Sequence, residues 1–171
     1  MKVLVVVEDD ADIQFLVRTV FARDSRFSLG GEVESAEEAI ELARSTELGL
    51  IVLDHGLAGE LTGIDAAPLL KEVAPQAKII LFTAHADLQD QAVDGPAIDA
   101  FLVKTDVGQL LSLAQTLTGL GAALDRGAWA SGVGRGAGYG RLRRCERFRG
   151  AAAVLGWGHP AGAVPSGRNG P

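Results

Sequence analysis

The feature that most constrains this chain is a series of short apolar runs, each of which stops at a polar or charged residue. Residues 3–7 stop at Glu8-Asp9-Asp10, residues 50–53 at Asp54, residues 79–82, in a strand expected from Lys78, at Thr83 and residues 100–103 at Lys104. Runs of Val, Ile and Leu this short, without the polar alternation of a half-solvated strand, suit strands buried on both faces of a parallel sheet. A parallel sheet needs long crossovers, and the intervening sequence has helical character. Ile13, Leu16, Val17, Val20 and Phe21 recur at helical spacing behind Asp10 or Asp12 as the cap. Ser35 and Glu38 form a capping-box pattern ahead of Ala39, Ile40 and Ala43. Further helices are expected over residues 64–74, stopped by Pro75, near residues 87–93, and over residues 107–117. Residues 27–33 complete the set as a strand weakened by Gly30-Gly31. Five strands alternating with five helices predict an α/β fold with right-handed crossovers.

Charge divides the chain in two. Residues 1–120 carry 20 Asp and Glu against 8 Lys and Arg, whereas residues 121–171 carry 2 acids against 8 Arg. The second region also holds 13 of the 22 Gly and no sustained apolar period, a composition that does not bury enough surface to offset chain entropy. The expected organisation is therefore one domain over 1–120 and a Gly/Arg-rich tail over 121–171, read as disordered or as an out-of-frame translation of a GC-rich gene. The Arg cluster at 141–149 lacks a recognisable nucleic-acid-binding fold, so an exposed basic tail is the preferred reading over specific DNA binding. Cys145 is the single cysteine, which excludes a disulfide framework within one chain. The first apolar run ends in acids after five residues, unlike a secretory leader, and no stretch reaches the roughly 20 apolar residues a membrane span needs. A cytoplasmic protein is expected.

In such a sheet, ligands bind outside the carboxyl ends of the strands, where Glu8, Asp9, Asp54, Thr83 and Lys104 all fall. Clustered carboxylates repel unless a cation sits among them, and Mg²⁺ suits oxygen ligands that also face a phosphate. A carboxylate can attack phosphorus as a nucleophile, with Lys104 neutralising charge and Thr83 donating a hydrogen bond to a phosphoryl oxygen. Each residue has a plainer reading alone: Asp10 as a helix cap, Asp54 as a turn residue, Lys104 as a surface lysine, Thr83 as a strand end, Phe101 as core. His85 near the pocket mouth reads as a solvated loop residue with a lesser option of tuning water access, and His55 receives no role.

The segments VLVVVEDD (3–10), LIVLD (50–54), ILFTA (80–84) and AFLVK (100–104), in that order, resemble the receiver domain of bacterial two-component response regulators over residues 2–119. The resemblance implies a flavodoxin-like, doubly wound sheet of order 2-1-3-4-5. It also implies that Glu8, Asp9, Asp54 and the backbone carbonyl of Gly56 hold Mg²⁺. By the same resemblance Asp54 accepts a phosphoryl group from a histidine kinase or phosphotransfer protein, Thr83 and Lys104 sense it, and Phe101 is the switching aromatic. Thr105 and Ala58 depart from the family pattern, standing where many members carry proline, and the loop over residues 59–63 is one residue longer than that pattern. Two other functions compete. A small-molecule phosphatase would want a second acid two residues beyond the nucleophile, where this chain has Gly56, and a phosphorylation-independent binding module would not need the full polar set.

Overall fold

The computed structural model describes residues 1–121. The strands are β1 (Lys2–Val7), β2 (Phe27–Val33), β3 (Leu50–Leu53), β4 (Lys78–Thr83) and β5 (Ala100–Val103). They form one parallel sheet in the order β2-β1-β3-β4-β5. The helices are α1 (Ala11–Phe21), α2 (Ala36–Ser45), α3 (Gly63–Val73), α4 (Gln89–Asp94) and α5 (Leu110–Leu117). This is the flavodoxin-like, doubly wound arrangement that the apolar runs and the resemblance imply.

Two cores follow from the alternation of side chains along the strands. Val5, Val7, Ile51, Leu53, Ile79, Leu81 and Phe101 point to the layer containing Ala39 of α2, Leu70 of α3 and Ala92 of α4. Leu4, Val6, Leu50, Val52, Ile80, Phe82 and Leu102 point to the opposite layer, against Val17 and Phe21 of α1 and Leu110 and Ala114 of α5. The central strands therefore have no solvated face, which is why their sequences are apolar without interruption. β2 lies at the edge and is more exposed, and a register shift opposite Leu4/Val5 accommodates its Gly30-Gly31 pair.

Helix starts are set by side-chain caps. Asp10 accepts from the amides of Asp12 and Ile13, which decides between the two candidate caps of α1. Ser35 accepts from the Glu38 amide, while the Glu38 carboxylate reaches the Glu34 amide, one residue before the cap. Thr62 caps α3 through the Asp65 amide and also bonds the Asp65 carboxylate, so α3 begins one residue earlier than its apolar pattern predicts. Pro68 lies within α3, although it has no N–H to give to the preceding turn.

The last two helices are shorter than expected. A 3-10 turn (Ala86–Leu88) precedes α4, and another (Lys104–Gln109), with Asp106 at φ −99° and ψ 24°, precedes α5. Gly108 and the turn out of β5 keep residues 107–109 from joining the regular helix.

The expectation for the tail over residues 121–171, a disordered segment or a foreign reading frame, lies from residue 122 onward outside the described residues. No helix among the described residues is long and apolar enough to cross a membrane.

Candidate functional site

Sheet register builds the site. Leu4 pairs with Leu50 and Val7 with Leu53, so β1 and β3 end side by side and deliver Glu8 next to Asp54. The Asp54 amide donates to the Val7 carbonyl (2.9 Å), and the Glu8 amide donates to the Val33 carbonyl of β2 (2.9 Å). Thr83 closes β4 opposite Val103 of β5, which places Lys104 one residue beyond the same edge.

The side chains converge. Lys104 Nζ donates to Asp54 Oδ2 at 2.8 Å and lies 2.7 Å from Glu8 Oε2. Carboxylate oxygens of Glu8, Asp9 and Asp54 lie within 4.8 Å of one another. Glu8 and Asp54 are buried, at 2% and 7% exposure, whereas Asp9 is exposed. One ammonium among three carboxylates leaves the pocket with a strong excess of negative charge. Burial pushes the Glu8 carboxyl up, Lys104 opposes the shift, and the neighbouring Asp54 adds to it, leaving it raised overall. Burial disfavours the Lys104 charge, but its contacts with Asp54 and Glu8 outweigh that cost and hold its pKa above the usual lysine value.

Asp10 is not part of the acidic set, because its carboxylate is spent on the α1 cap. Gln14 donates to the Glu8 carbonyl at 2.7 Å, tying the first turn of α1 to the end of β1. Thr83 is fully buried, and its Oγ1 accepts from the His85 amide at 3.3 Å. Phe101 is 1% exposed and packs in the core cluster that includes Leu81, Ala92 and Ile98. Gly56 lies in the exposed loop two residues beyond Asp54 and offers no side-chain acid.

Two contributors were not anticipated. His55 was given no role, yet its backbone amide donates to Asp54 Oδ1 at 2.6 Å. Its ring stacks edge-on against His85, with centroids 6.2 Å apart. A backbone donor leaves no trace in residue identity, so nothing in the sequence could have singled it out. The second is Gly63, whose amide donates to the His55 carbonyl at 3.0 Å. A Cβ at this position would lie 1.9 Å from the Asp54 carbonyl oxygen. The N-terminus of α3 thus rests directly on the Asp54 backbone, and only glycine allows it. A glycine directly after the capping Thr62 was the available signal.

The donor set fits a hard divalent cation: all oxygen and densely negative, with Asp9 open to solvent.

Comparison with known proteins agrees with this geometry. Residues 4–115 match the family model described as the response regulator receiver domain. The response regulator protein VraR of Staphylococcus saprophyticus is 26% identical over 107 residues, covering 61% of this chain and 50% of that protein. A putative transcriptional regulator of Pseudomonas aeruginosa is 29% identical over 89 residues, covering 52% of this chain and 42% of that protein. The chain's matched region thus spans about half the length of these curated relatives or less. Among solved structures, the response regulator TrrA of Thermotoga maritima, in complex with Mg²⁺ and beryllium fluoride, superposes with a TM-score of 0.61 at 26% identity. That superposition covers 68% of this chain and 99% of that one.

Proposed function

The chain belongs to the response regulator receiver domain family, and from that premise we propose that Asp54 accepts a phosphoryl group in a Mg²⁺-dependent reaction and that the resulting change of shape controls a partner. The observation that carries this reading is the convergence of Lys104 on both Glu8 and Asp54, with Asp9 completing an all-oxygen pocket.

The phosphodonor is a phosphohistidine on a histidine kinase or phosphotransfer protein. An Asp54 carboxylate oxygen attacks phosphorus as the phosphorus–nitrogen bond breaks, and the electron pair leaves with the donor imidazole. Lys104 holds a phosphoryl oxygen and neutralises its charge, and the Thr83 hydroxyl donates to another. The His55 amide bonds the carboxylate oxygen that Lys104 leaves free, orienting the nucleophile. Glu8, Asp9, Asp54 and the Gly56 carbonyl would hold Mg²⁺, which when bound offsets the negative charge shared by the carboxylates and the incoming phosphoryl group. The TrrA complex with Mg²⁺ and beryllium fluoride supports this choice of ion.

The protein catalyses only its own phosphorylation and dephosphorylation. Drawing Thr83 and Lys104 toward the phosphoryl group biases the last two βα units between two arrangements, with Phe101 packed beneath them as the aromatic that reports the change. The output surface is the face of α4 and α5, and its target is a protein rather than nucleic acid. Residues 1–120 form the receiver unit and 121–171 a separate segment.

The test is incubation with acetyl phosphate and Mg²⁺ followed by intact-mass measurement. A phosphoryl adduct that disappears in Asp54→Ala and in excess EDTA is expected. An adduct that persists in Asp54→Ala overturns the assignment.

A further inference from the structure

Ala58 departs from the proline that many receiver domains carry at this place, and the structure gives that departure a consequence. Proline has no N–H, whereas the Ala58 amide donates to the Glu34 carbonyl at 3.1 Å, and Ser35 and Ala58 form a parallel β-bridge. The carbonyl just before, that of Val33, accepts from the Glu8 amide at 2.9 Å. Adjacent carbonyls of the β2–α2 junction therefore bond both halves of the acidic pocket, the end of β1 and the loop after Asp54.

The junction is itself held firmly. The Glu34 amide is bonded by the Glu38 carboxylate, and Ser35 caps α2. The loop runs close against the first turn of α2 at Gly59, whose φ is +107° and where a Cβ would lie 2.8 Å from a Glu37 carboxylate oxygen. Its far end is fixed by the bond from the Gly63 amide to the His55 carbonyl.

We propose that residues 33–35 are a positioning brace that, through the Ala58 amide, sets the loop carrying Gly56 against Glu8 and Asp9 and so tunes Mg²⁺ affinity. This rests on the reading of the acidic pocket as a Mg²⁺ site. The brace ties the edge strand β2 to the metal site.

The experiment measures Mg²⁺ affinity calorimetrically on the full chain for wild type, Ala58→Pro and Ala58→Ser. Proline removes the bond and is expected to weaken Mg²⁺ binding about 3- to 10-fold, the range that one net hydrogen bond supports. Serine keeps the amide and is expected to stay within about twofold, by the same measure. Equal affinity in all three proteins overturns the brace, as does equal weakening by proline and serine. Wild type that fails to bind Mg²⁺ overturns the metal reading itself, which is a different result.

Amide exchange on wild type supplies a check that does not depend on the proline variant folding. Mg²⁺ is expected to slow exchange at Ala58 and Glu8 together, leaving Lys78, bonded to the Gly49 carbonyl at the opposite end of the sheet, unchanged. Ala58 exchange that Mg²⁺ does not alter overturns the proposal.

Discussion

Lys104 reaches Asp54 across fifty residues of sequence, its Nζ 2.8 Å from Oδ2, while the same ammonium lies 2.7 Å from Glu8. A single cation thus answers two buried carboxylates whose mutual repulsion the fold would otherwise bear. Lys104→Met leaves those carboxylates facing each other, at a cost of about 3–5 kcal/mol without metal. A divalent cation compensates for the lost ammonium, so millimolar Mg²⁺ is expected to raise the melting temperature of the variant more than that of wild type. Thermal melts in EDTA and in Mg²⁺ measure the difference; equal shifts in the two proteins would argue against a shared cation site.

Gly63 makes a second, steric demand. With a Cβ placed 1.9 Å from the Asp54 carbonyl oxygen, Gly63→Ala has to push α3 off the Asp54 backbone, and overpacking of this kind costs about 1–3 kcal/mol or more. Phosphorylation by acetyl phosphate is expected to slow along with the loss of stability, because the displaced backbone carries Asp54, the proposed nucleophile. Gly108→Ala is the control, since a Cβ there also meets nothing within 4 Å and the residue lies outside the acidic pocket. If both substitutions slow the reaction equally, contact with α3 is not what positions Asp54.

These two cases mark how far the sequence was legible. Glu8, Asp54 and Lys104 could be placed because each follows an apolar run, and the end of a buried parallel strand is a position that composition alone reveals. Asp10 could be recognised as an acid at a helix start, but choosing it over Asp12 as the cap required the hydrogen bonds to the Asp12 and Ile13 amides. The bonds from the His55 and Ala58 amides were invisible, since every residue except proline carries that donor. The steric demand at Gly63 depends on how closely α3 approaches β3, a tertiary distance without a local pattern. α5 starts later than the apolar spacing predicts, because Val107 continues that spacing while the turn out of β5 holds it in a 3-10 segment.

The opposite end of the sheet holds a charge network whose pH dependence has a definite sign. Asp99 accepts from Lys71 at 2.6 Å, Lys78 at 2.9 Å and the Ile79 amide at 3.0 Å. Burial works against its charge, but Lys71, the Ile79 amide and Lys78 together hold its carboxyl below the usual aspartate range. A depressed folded-state pKa contributes stability above the unfolded pKa of about 3.9, and that stability is lost as pH falls through the folded value. Asp99→Asn is therefore expected to cost about 1.5–3 kcal/mol at pH 7, the range for hydrogen bonds to a charged group. The gap between variant and wild type should close as the pH drops below about 4. Urea unfolding at a series of pH values tests this, and a gap of constant size would remove ionised Asp99 as the cause.

Phe101 joins the core to the proposed switch. It pairs with Leu81 in the β4–β5 register two residues before Thr83 meets Val103, and it packs in the cluster that contains Ala92 of α4. Truncation to alanine in so closed a site is expected to cost about 3–5 kcal/mol, whereas leucine keeps most of the apolar volume and costs less. Phe101→Leu is therefore the informative variant, because it keeps the fold while changing the shape beneath Thr83. Phosphorylation of Asp54 is expected to proceed at a near wild-type rate in Phe101→Leu, since the polar groups gathered at Asp54 are those of Glu8, Asp9 and Lys104, yet to produce smaller amide shifts in α4 on adding beryllium fluoride and Mg²⁺. Full-sized shifts would make Phe101 a core residue alone, and leave Thr83 and Lys104 to carry the change to α4 and α5.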